Sequence, residues 1–566
     1  MERRLLLVFA LTFIVILASQ PLLKKYLPQP APESQQQQQT QSQQKPESVA
    51  PAPAAPARND GSIQKGSAET TTVIENNLYR ITFTNRGAQV KSWILKKFDD
   101  DQGKPLDLVH SVAAAKHGYP LSLWTWDENQ RNKLNSVLYV ASASGSLSAP
   151  TTLSFEYSDK DLTVRKKFTF DQTYVVHVET SVVSNGNYVS AFPAWPAGFG
   201  DENSPAAYAA ETVSYQVNST VERLAVKKVS GGGVVKPPMN WAGVTDQYFA
   251  AVFLPDDAAA ATLVTLHNTV DVPKDPQKPQ DTIKADVLGA AVGTLSATSS
   301  QRLFVGPRAL DVLEAVPVTG MPPHVEADLR QVVDFGWLGV IARPLFVWLR
   351  WTHTFIPNWG WAIALQTLII NLALLPLRIS QMKSALKMQK VAPQIKAIQD
   401  KYKKYSMRDP RKQEMNQEVA ALYKQEGVNP VGGCLPLVIQ MPFLFAYYRM
   451  LGVALDLRHA NWLWIRDLSS ADPYHILPIA VIITMLITQR MTPQAGMDPS
   501  QQKMMNVVMP VMLGAISWNL PAGLCLYWSE GSLIGIVQQY VMNKTALGRE
   551  MREMAAKRAR KKDKDK

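Results

Sequence analysis

The 566-residue chain contains two cysteines, a scarcity that excludes a disulfide-stapled scaffold. Both, Cys434 and Cys525, lie inside apolar runs, where a thiol behaves as a small hydrophobe rather than a redox or metal group. Histidines are also few, eight in all, and His110, His117, His177 and His267 stand at no metal-ligand spacing. The run Gly231, Gly232, Gly233 lacks the flanking strand, helix and lysine of a phosphate loop and reads as a turn. Residues 28–70 have almost no aliphatic side chains. Their glutamines, Gln35 to Gln39 among them, and the Ala/Pro stretch 50–57 cannot offset the entropy of ordering, so a disordered tether is predicted.

What is present is divided by position. The average, 46% apolar with a net charge of +12, would pass for a soluble protein. Along the chain, however, a polar, strand-rich first 325 residues precede a part in which apolar runs alternate with lysine-rich stretches. The first apolar run, 5–23, follows Arg3 and Arg4 and reads as either a cleaved signal or a membrane anchor, within an N-terminal segment 1–27. Cutting after Ala18 or Ser19 would leave Ile16 or Leu17 at −3, so the anchor is favoured. Between 71 and 324 the pattern is β: 78–87 alternates and ends on a turn, as do 162–170 and 174–183, the last followed by Ser184, Asn185 and Gly186. An antiparallel β-sandwich is expected there.

Residues 325–357 mix Asp328, Arg330, Asp334, Arg343 and Arg350 with Trp337, Trp348 and Trp351, the pattern of an amphipathic helix lying in a membrane interface. Five runs beyond it have spanning character: 359–377, 434–455, 474–488, 504–520 and 522–541. With 5–23 they make six transmembrane helices of a polytopic α-helical membrane protein. Charge orients them. The loop 378–430 has 12 Lys and Arg against 5 Asp and Glu, and the tail from Asn543 has 10 against 4, so both belong in the cytoplasm. The loop 456–473, with two arginines and three aspartates, suits the outside. Six spans with a cytoplasmic N-terminus satisfy all of these and put the β-domain in the periplasm of an inner membrane. A seventh span at 335–349 would reverse that. Within 378–430, Met382, Ala385, Met388, Ile395, Ile398 and Tyr402 form one helical stripe and Met415, Val419, Leu422 and Tyr423 another, which predicts a cytoplasmic helical hairpin. Its lysines read first as a solvated face, with lipid headgroups or ribosomal RNA compatible with the charge.

The stretch Val428-Asn429-Pro430-Val431-Gly432-Gly433-Cys434-Leu435-Pro436-Leu437-Val438-Ile439-Gln440-Met441-Pro442 closely resembles the signature of the bacterial YidC membrane protein insertases, relatives of the mitochondrial Oxa and chloroplast Alb proteins. Asn358-Trp359-Gly360, Pro521-Ala522-Gly523-Leu524, Leu526-Tyr527 and Gln538-Gln539 support it. The resemblance implies a five-helix insertase core at 358–547, ahead of a basic cytoplasmic tail at 548–566. It also implies insertion and folding of nascent membrane proteins, alone or beside the Sec translocon, with membrane lipids and, through hairpin and tail, the ribosome as further partners. No bond is broken in that work, so no enzyme activity, cofactor or metal is implied; action as a monomer is compatible with it. A hydrophilic groove, open to the cytoplasm and to lipid, would receive the client's polar segment.

The family commonly carries a groove arginine on its first core helix, and counting from Asn358 puts that position at Asn371. Thr367 matches a groove threonine, Gln366 is adjacent, and Arg378, seven residues on, is expected at the cytoplasmic interface. On the last helix Tyr527 and Trp528 occupy the place of two family tyrosines, and Glu530 follows as an acid within a span, a functional candidate by default. At about 1.5 Å per residue, Glu530 and Asn371 lie on the order of 13 and 18 Å from the outer ends of their helices. The expected groove set is Gln366, Thr367, Asn371, Gln440, Tyr527, Trp528 and Glu530. Leu437, Phe443, Met509 and Met512 are expected to make apolar client contacts. For Gln440 and Glu530 the bland alternative is hydrogen bonding between neighbouring helices. A membrane-tethered carbohydrate enzyme is the competing function. It predicts a cleft of histidine and carboxylates that sequence spacing does not reveal. A transporter, third, would call for repeats that are not visible.

Overall fold

The computed structural model describes residues 63–553, apart from 203–204, 275–279, 296–297, 320–327, 404, 406–408, 428–434, 492–502, 547–548 and 551–552. The expected N-terminal span and nearly all of the tether therefore lie outside the described residues, as do Cys434 and most of the basic tail.

From Thr71 to Pro307 the chain is built of strands. Leu162–Phe170 and Val175–Ser184 form on the segments where the alternation predicts them and pair antiparallel across the turn 171–174; Asn185 and Gly186, both at positive φ, make the next turn, into Asn187–Tyr188. The sheets number three among the described residues, rather than the two of a simple sandwich: one of ten strands and two of five. All long pairings are antiparallel, the longest joining Ala261–Pro273 to Thr282–Thr294. One short pairing, Thr71–Glu75 with Gly145–Ser148, is parallel. Gly232, at φ +78°, makes the turn predicted for the triple glycine, and Gly233 starts a strand.

Alternation decides what this core contains. In Leu162–Phe170 the even positions point inward, which buries Leu162, Val164, Phe168 and Phe170 and carries Lys166 inward with them. Phe83, Phe155, Phe168 and Phe170 stack edge-on or tilted against one another, with centroids 5.0 to 6.1 Å apart in the closest pairs. Trp93, Trp195 and Phe199 continue the layer.

Helices follow. Helix α1 is Gly339–Phe355; it buries Ala342, Leu345, Phe346 and Leu349, while Trp337 just before it and Val340, Trp351 and Phe355 on its other face stay exposed. The expected segment 325–357 is thus helical only in its second half; Leu329–Val332 is a single 3-10 turn, capped by Asp328. Helix α2, Trp359–Ala373, is capped by Asn358, whose side chain accepts from the Trp361 amide. Helix α3, Leu375–Lys401, begins after a break at Leu374, where Pro376 removes an amide donor and disfavours helical backbone before it. The run 359–377, expected as one span, is therefore divided between two helices, and Trp359–Ala373 meets Leu375–Met388 at 46°. Helix α4, Arg411–Gln425, packs back on α3 through Val391 and Ile395 against Val419, Leu422 and Tyr423. Then come α5, Leu435–Val453, α6, Ile476–Met491, a π-turn at Met504–Val508 leading into α7, Met509–Ser517, and α8, Ala522–Lys544. No single described helix is both long and apolar enough to cross a membrane by itself; the bent pair of α2 with Leu375–Met388 of α3 reaches that length and hydropathy only when the two are taken together.

The β-domain meets the helices through polar contacts. Gln247 Nε2 donates to Gly452 O at 2.9 Å, and Arg458 and His459 approach Asp101 at 3.8 and 3.3 Å; beside them Arg449 on α5 pairs at 2.8 Å with Asp334 of the segment that links the two parts.

Candidate functional site

A polar ladder runs between α2, α5 and α8. On α2 the residues four apart, Ile363, Thr367 and Asn371, share one face, and on α8 Tyr527, Gly531, Gly535 and Gln538 share another. Gly531 and Gly535 leave that face of α8 without side chains. A Cβ on Gly531 would meet Asn371 and Thr367 at 3.6 and 3.9 Å, and one on Gly535 would lie 2.7 Å from the Arg378 guanidinium.

Hydrogen bonds fill the gap. Gln366 Nε2 donates to Leu345 O at 3.0 Å, and the Tyr447 hydroxyl donates to Gln366 Oε1 at 2.5 Å. Tyr447 also stacks on Tyr527, ring centroids 4.1 Å apart. Thr367 Oγ1 donates to Ile363 O, and Asn371 Nδ2 to Thr367 O, both at 2.8 Å. Gln538 Nε2 reaches Asn371 O at 3.2 Å, tying α8 to α2. Gln366, Thr367, Asn371 and Tyr527 are all buried; Trp528 and Glu530 are half-buried. Two buried oxygens, Glu530 Oε2 and Gln538 Oε1, accept from no donor.

The structure thus brings Gln366, Thr367, Asn371 and Tyr527 into one network. The side chains of Leu437 and Gln440 lie outside the described residues. Phe443 packs half-buried on the core, Met509 is half-buried, and Met512 is exposed. Two members of the network were not in the expected set. Tyr447 sits on α5, and its signal would have been a tyrosine three turns along an apolar run. Arg378, expected at the cytoplasmic interface, reaches back along the chain: its Nη2 donates to Asn371 Oδ1 at 3.2 Å, so a cation stands beside the position where the family arginine is missing.

Replacing Tyr447 by phenylalanine leaves Gln366 Oε1 buried without its donor, a loss of about 1–3 kcal/mol. Thermal unfolding of the detergent-solubilised variant is expected to shift down by several degrees; an unchanged midpoint would show that the hydroxyl carries none of the helix contact.

The carbohydrate-enzyme alternative asked for a histidine and carboxylates together, and folding does assemble such a group from distant positions: His110 Nε2 lies 2.6 Å from the Tyr208 hydroxyl, which donates to Glu202 O, with Glu211 and Asp246 close by. Burial makes it no cleft. Glu211 is 0% exposed and Asp246 3%, so no sugar hydroxyl reaches them.

Residues 71–348 match the family described as "YidC periplasmic domain", and residues 351–549 the family described as "60Kd inner membrane protein". The "Membrane protein insertase YidC" of Citrifermentans bemidjiense is 32% identical over 497 residues, covering 83% of this chain and 85% of that one. The protein of the same name from Bordetella avium is 30% identical over 492 residues, covering 84% and 83%. A solved structure, "Active YidC insertase crystal structure with the first transmembrane domain resolved", aligns over 85% of this chain and 94% of that one, at 18% identity and a TM-score of 0.35. A β-rich outer domain followed by an apolar helical part with a polar seam is therefore that of a bacterial inner-membrane protein with a periplasmic domain. Within that class the chain belongs to the YidC membrane protein insertase family. The carbohydrate-enzyme reading is set aside, because matches at this identity extend across both parts of the chain.

Proposed function

We propose that this protein inserts newly made membrane proteins into the inner membrane and assists their folding, without catalysing a reaction, and that the ladder between α2, α5 and α8 is its client-receiving groove. The observation that carries this reading is unspent hydrogen-bonding capacity: Glu530 Oε2 and Gln538 Oε1 are buried acceptors with no donor, on the helix that faces Asn371. In hydrocarbon each unsatisfied polar group costs several kcal/mol, so a seam that offers acceptors lowers the cost of carrying a client's polar segment inward. The client's apolar helix then leaves sideways into lipid, driven by its own transfer free energy.

The outer faces of the helices support membrane embedding. Leu368 and Leu372 on α2, Ile483 on α6, Ile516 on α7 and Leu533 and Val537 on α8 are each 39–56% exposed, a belt that water would penalise and lipid would not. The lysine-rich hairpin and tail orient the protein with both termini in the cytoplasm and six spans, the charge bias favouring that arrangement. Nascent chains and lipids are then its immediate partners, with the Sec translocon and the ribosome as further ones. In cells depleted of their own insertase, this chain is expected to restore insertion of a short two-span membrane protein; normal protein levels with no insertion would overturn the reading.

A further inference from the structure

The seam between α2, α5 and α8 is lopsided in its hydrogen bonding. Its donors are used inside the protein: Gln366 Nε2 on Leu345 O, Thr367 Oγ1 on Ile363 O, Asn371 Nδ2 on Thr367 O, the Tyr447 hydroxyl on Gln366 Oε1 and Gln538 Nε2 on Asn371 O. Two of its acceptors are not. Gln538 Oε1 and Glu530 Oε2 are buried and receive no donor. A surplus of acceptors fits a ligand that brings N–H groups, and a carboxylate fits best one that brings them with a positive charge.

Glu530 is the stronger of the two. Among the described residues no arginine, lysine or histidine pairs with it. Arg378, the cation of this seam, is turned elsewhere. Its Nη2 bonds Asn371 Oδ1, and its Nη1 lies 2.7 Å from where a Cβ on Gly535 would stand, five residues or about 7.5 Å further along α8.

The place of Glu530 on its helix decides what can reach it. One turn before it is Tyr527, stacked on Tyr447 inside the seam, and the charge of Glu530 is close enough to act on the Tyr447 hydroxyl. Three and seven residues after it, on the same stripe of α8, come Leu533 and Val537, which are 54% and 56% exposed. Glu530 therefore stands on the border where the seam meets the apolar belt. A lysine or arginine suits that border, because its methylene stem can lie along Leu533 while its head reaches the carboxylate.

Depth gives the contact its weight. Glu530 lies on the order of 13 Å from the outer end of α8, a depth at which an unpaired cation is costly in hydrocarbon. A carboxylate waiting there lowers that cost for a cationic segment. For an acidic segment the same group adds like-charge repulsion, so a single residue both favours one class and disfavours the other.

Resting on the reading of this seam as the client groove, we infer that Glu530 sets a charge preference among clients. The seam takes polar segments that carry a lysine or arginine, whose ammonium or guanidinium bonds Glu530, while N–H groups about two turns further along the groove meet Gln538 Oε1. It disfavours segments with an aspartate or glutamate at the same place.

Three clients that differ at one residue test this: a single-span protein whose short translocated segment carries lysine, asparagine or aspartate at one position. The full-length protein, reconstituted in phosphatidylcholine vesicles without a membrane potential, receives each client as it is synthesised. Insertion is read as the protease-protected fragment, after subtracting that of protein-free vesicles. The lysine client is expected to insert at least threefold better than the aspartate client, with the asparagine client between them. That ratio is expected to fall to less than half in Glu530→Gln, and Glu530→Lys is expected to favour aspartate. A ratio, unlike a yield, is not moved by a general loss of folded protein. A ratio under threefold in the unaltered protein overturns the inference whether or not the variants fold. So does a ratio in Glu530→Gln that stays above half of the parent value, or a Glu530→Lys protein that still favours lysine. Failure of the unaltered protein to insert any of the three overturns the groove reading as well, whereas equal insertion of all three overturns only the preference assigned to Glu530.

Discussion

Leucine in place of Asn371 is expected to abolish most of the protein's insertion activity while leaving enough folded protein to measure. Asn371 is the centre of the seam: its Nδ2 donates to Thr367 O, its Oδ1 receives Arg378, and its carbonyl receives Gln538. Leucine keeps the volume and the carbonyl but removes both side-chain bonds. The bond to Arg378 is charge-assisted, worth about 1.5–3 kcal/mol, and the amide bond about 1 kcal/mol more. A loss of roughly 3 kcal/mol falls within the 5–15 kcal/mol by which native proteins are stable, so the fold survives. The groove does not: a guanidinium without Asn371 must turn toward solvent or lipid, leaving the seam with an apolar patch at its middle. Complementation in insertase-depleted cells should fall at least tenfold for Asn371→Leu combined with Glu530→Leu, and less for Asn371→Ser with Glu530→Gln, which retain polar groups. Unimpaired growth and insertion with the double leucine variant would remove both residues from the mechanism.

The bond from Arg378 to Asn371 could not be read from spacing. Seven residues along a straight helix amount to about 10 Å, which sets its Cα far below Asn371. Helical side chains lean toward the N-terminus, however, and an arginine is long enough to reach back almost that far. The chain also turns by 46° after Ala373, because Pro376 cannot continue the helix of α2 unbroken. Spacing along one straight axis could not contain either effect. By contrast Gln366, Thr367 and Asn371 were legible because polar residues in an apolar run at helical spacing have few other places to go. In the β-domain, strands were legible wherever alternation was clean, as at 162–170. The buried acids Glu202, Glu211 and Asp246 were not, since only the fold of the sheets brings residues so far apart in the chain together. Their one local hint is an aspartate directly after five wholly buried residues, Trp241–Thr245.

The other large effect is expected in the β-domain, from methionine at Lys166. The same alternation that made its strand legible carries this lysine to the inside, where it is 1% exposed. Its Nζ donates to Gly87 O, Ala88 O and Leu121 O at 2.8, 2.9 and 2.8 Å, one acceptor for each N–H of an ammonium. All three acceptor residues have left-handed backbone, with φ of +67°, +47° and +63°. Gly87 takes that conformation freely; Ala88 and Leu121 do so at a cost of about 1–2 kcal/mol each. The lysine therefore offsets strain in two turns at once. Burial pushes its ammonium down to about 7, and the three carbonyls act in the opposite direction by accepting from the charged form. Methionine matches the length and removes the desolvation cost, yet the carbonyls belong to the backbone and cannot be removed with it. Three buried acceptors losing their donor, at about 1–3 kcal/mol each, outweigh that gain, for a net loss of about 3–5 kcal/mol. Thermal unfolding followed by near-ultraviolet circular dichroism should then begin roughly 10 °C lower for Lys166→Met, at 2–4 °C per kcal/mol for a domain of this size. Ala88→Gly, which relieves one strained position and keeps the lysine, should be neutral or slightly stabilising. A Lys166→Met protein that unfolds within 2 °C of the parent would mean that the carbonyls find water, and that the cage does not hold the two turns in place.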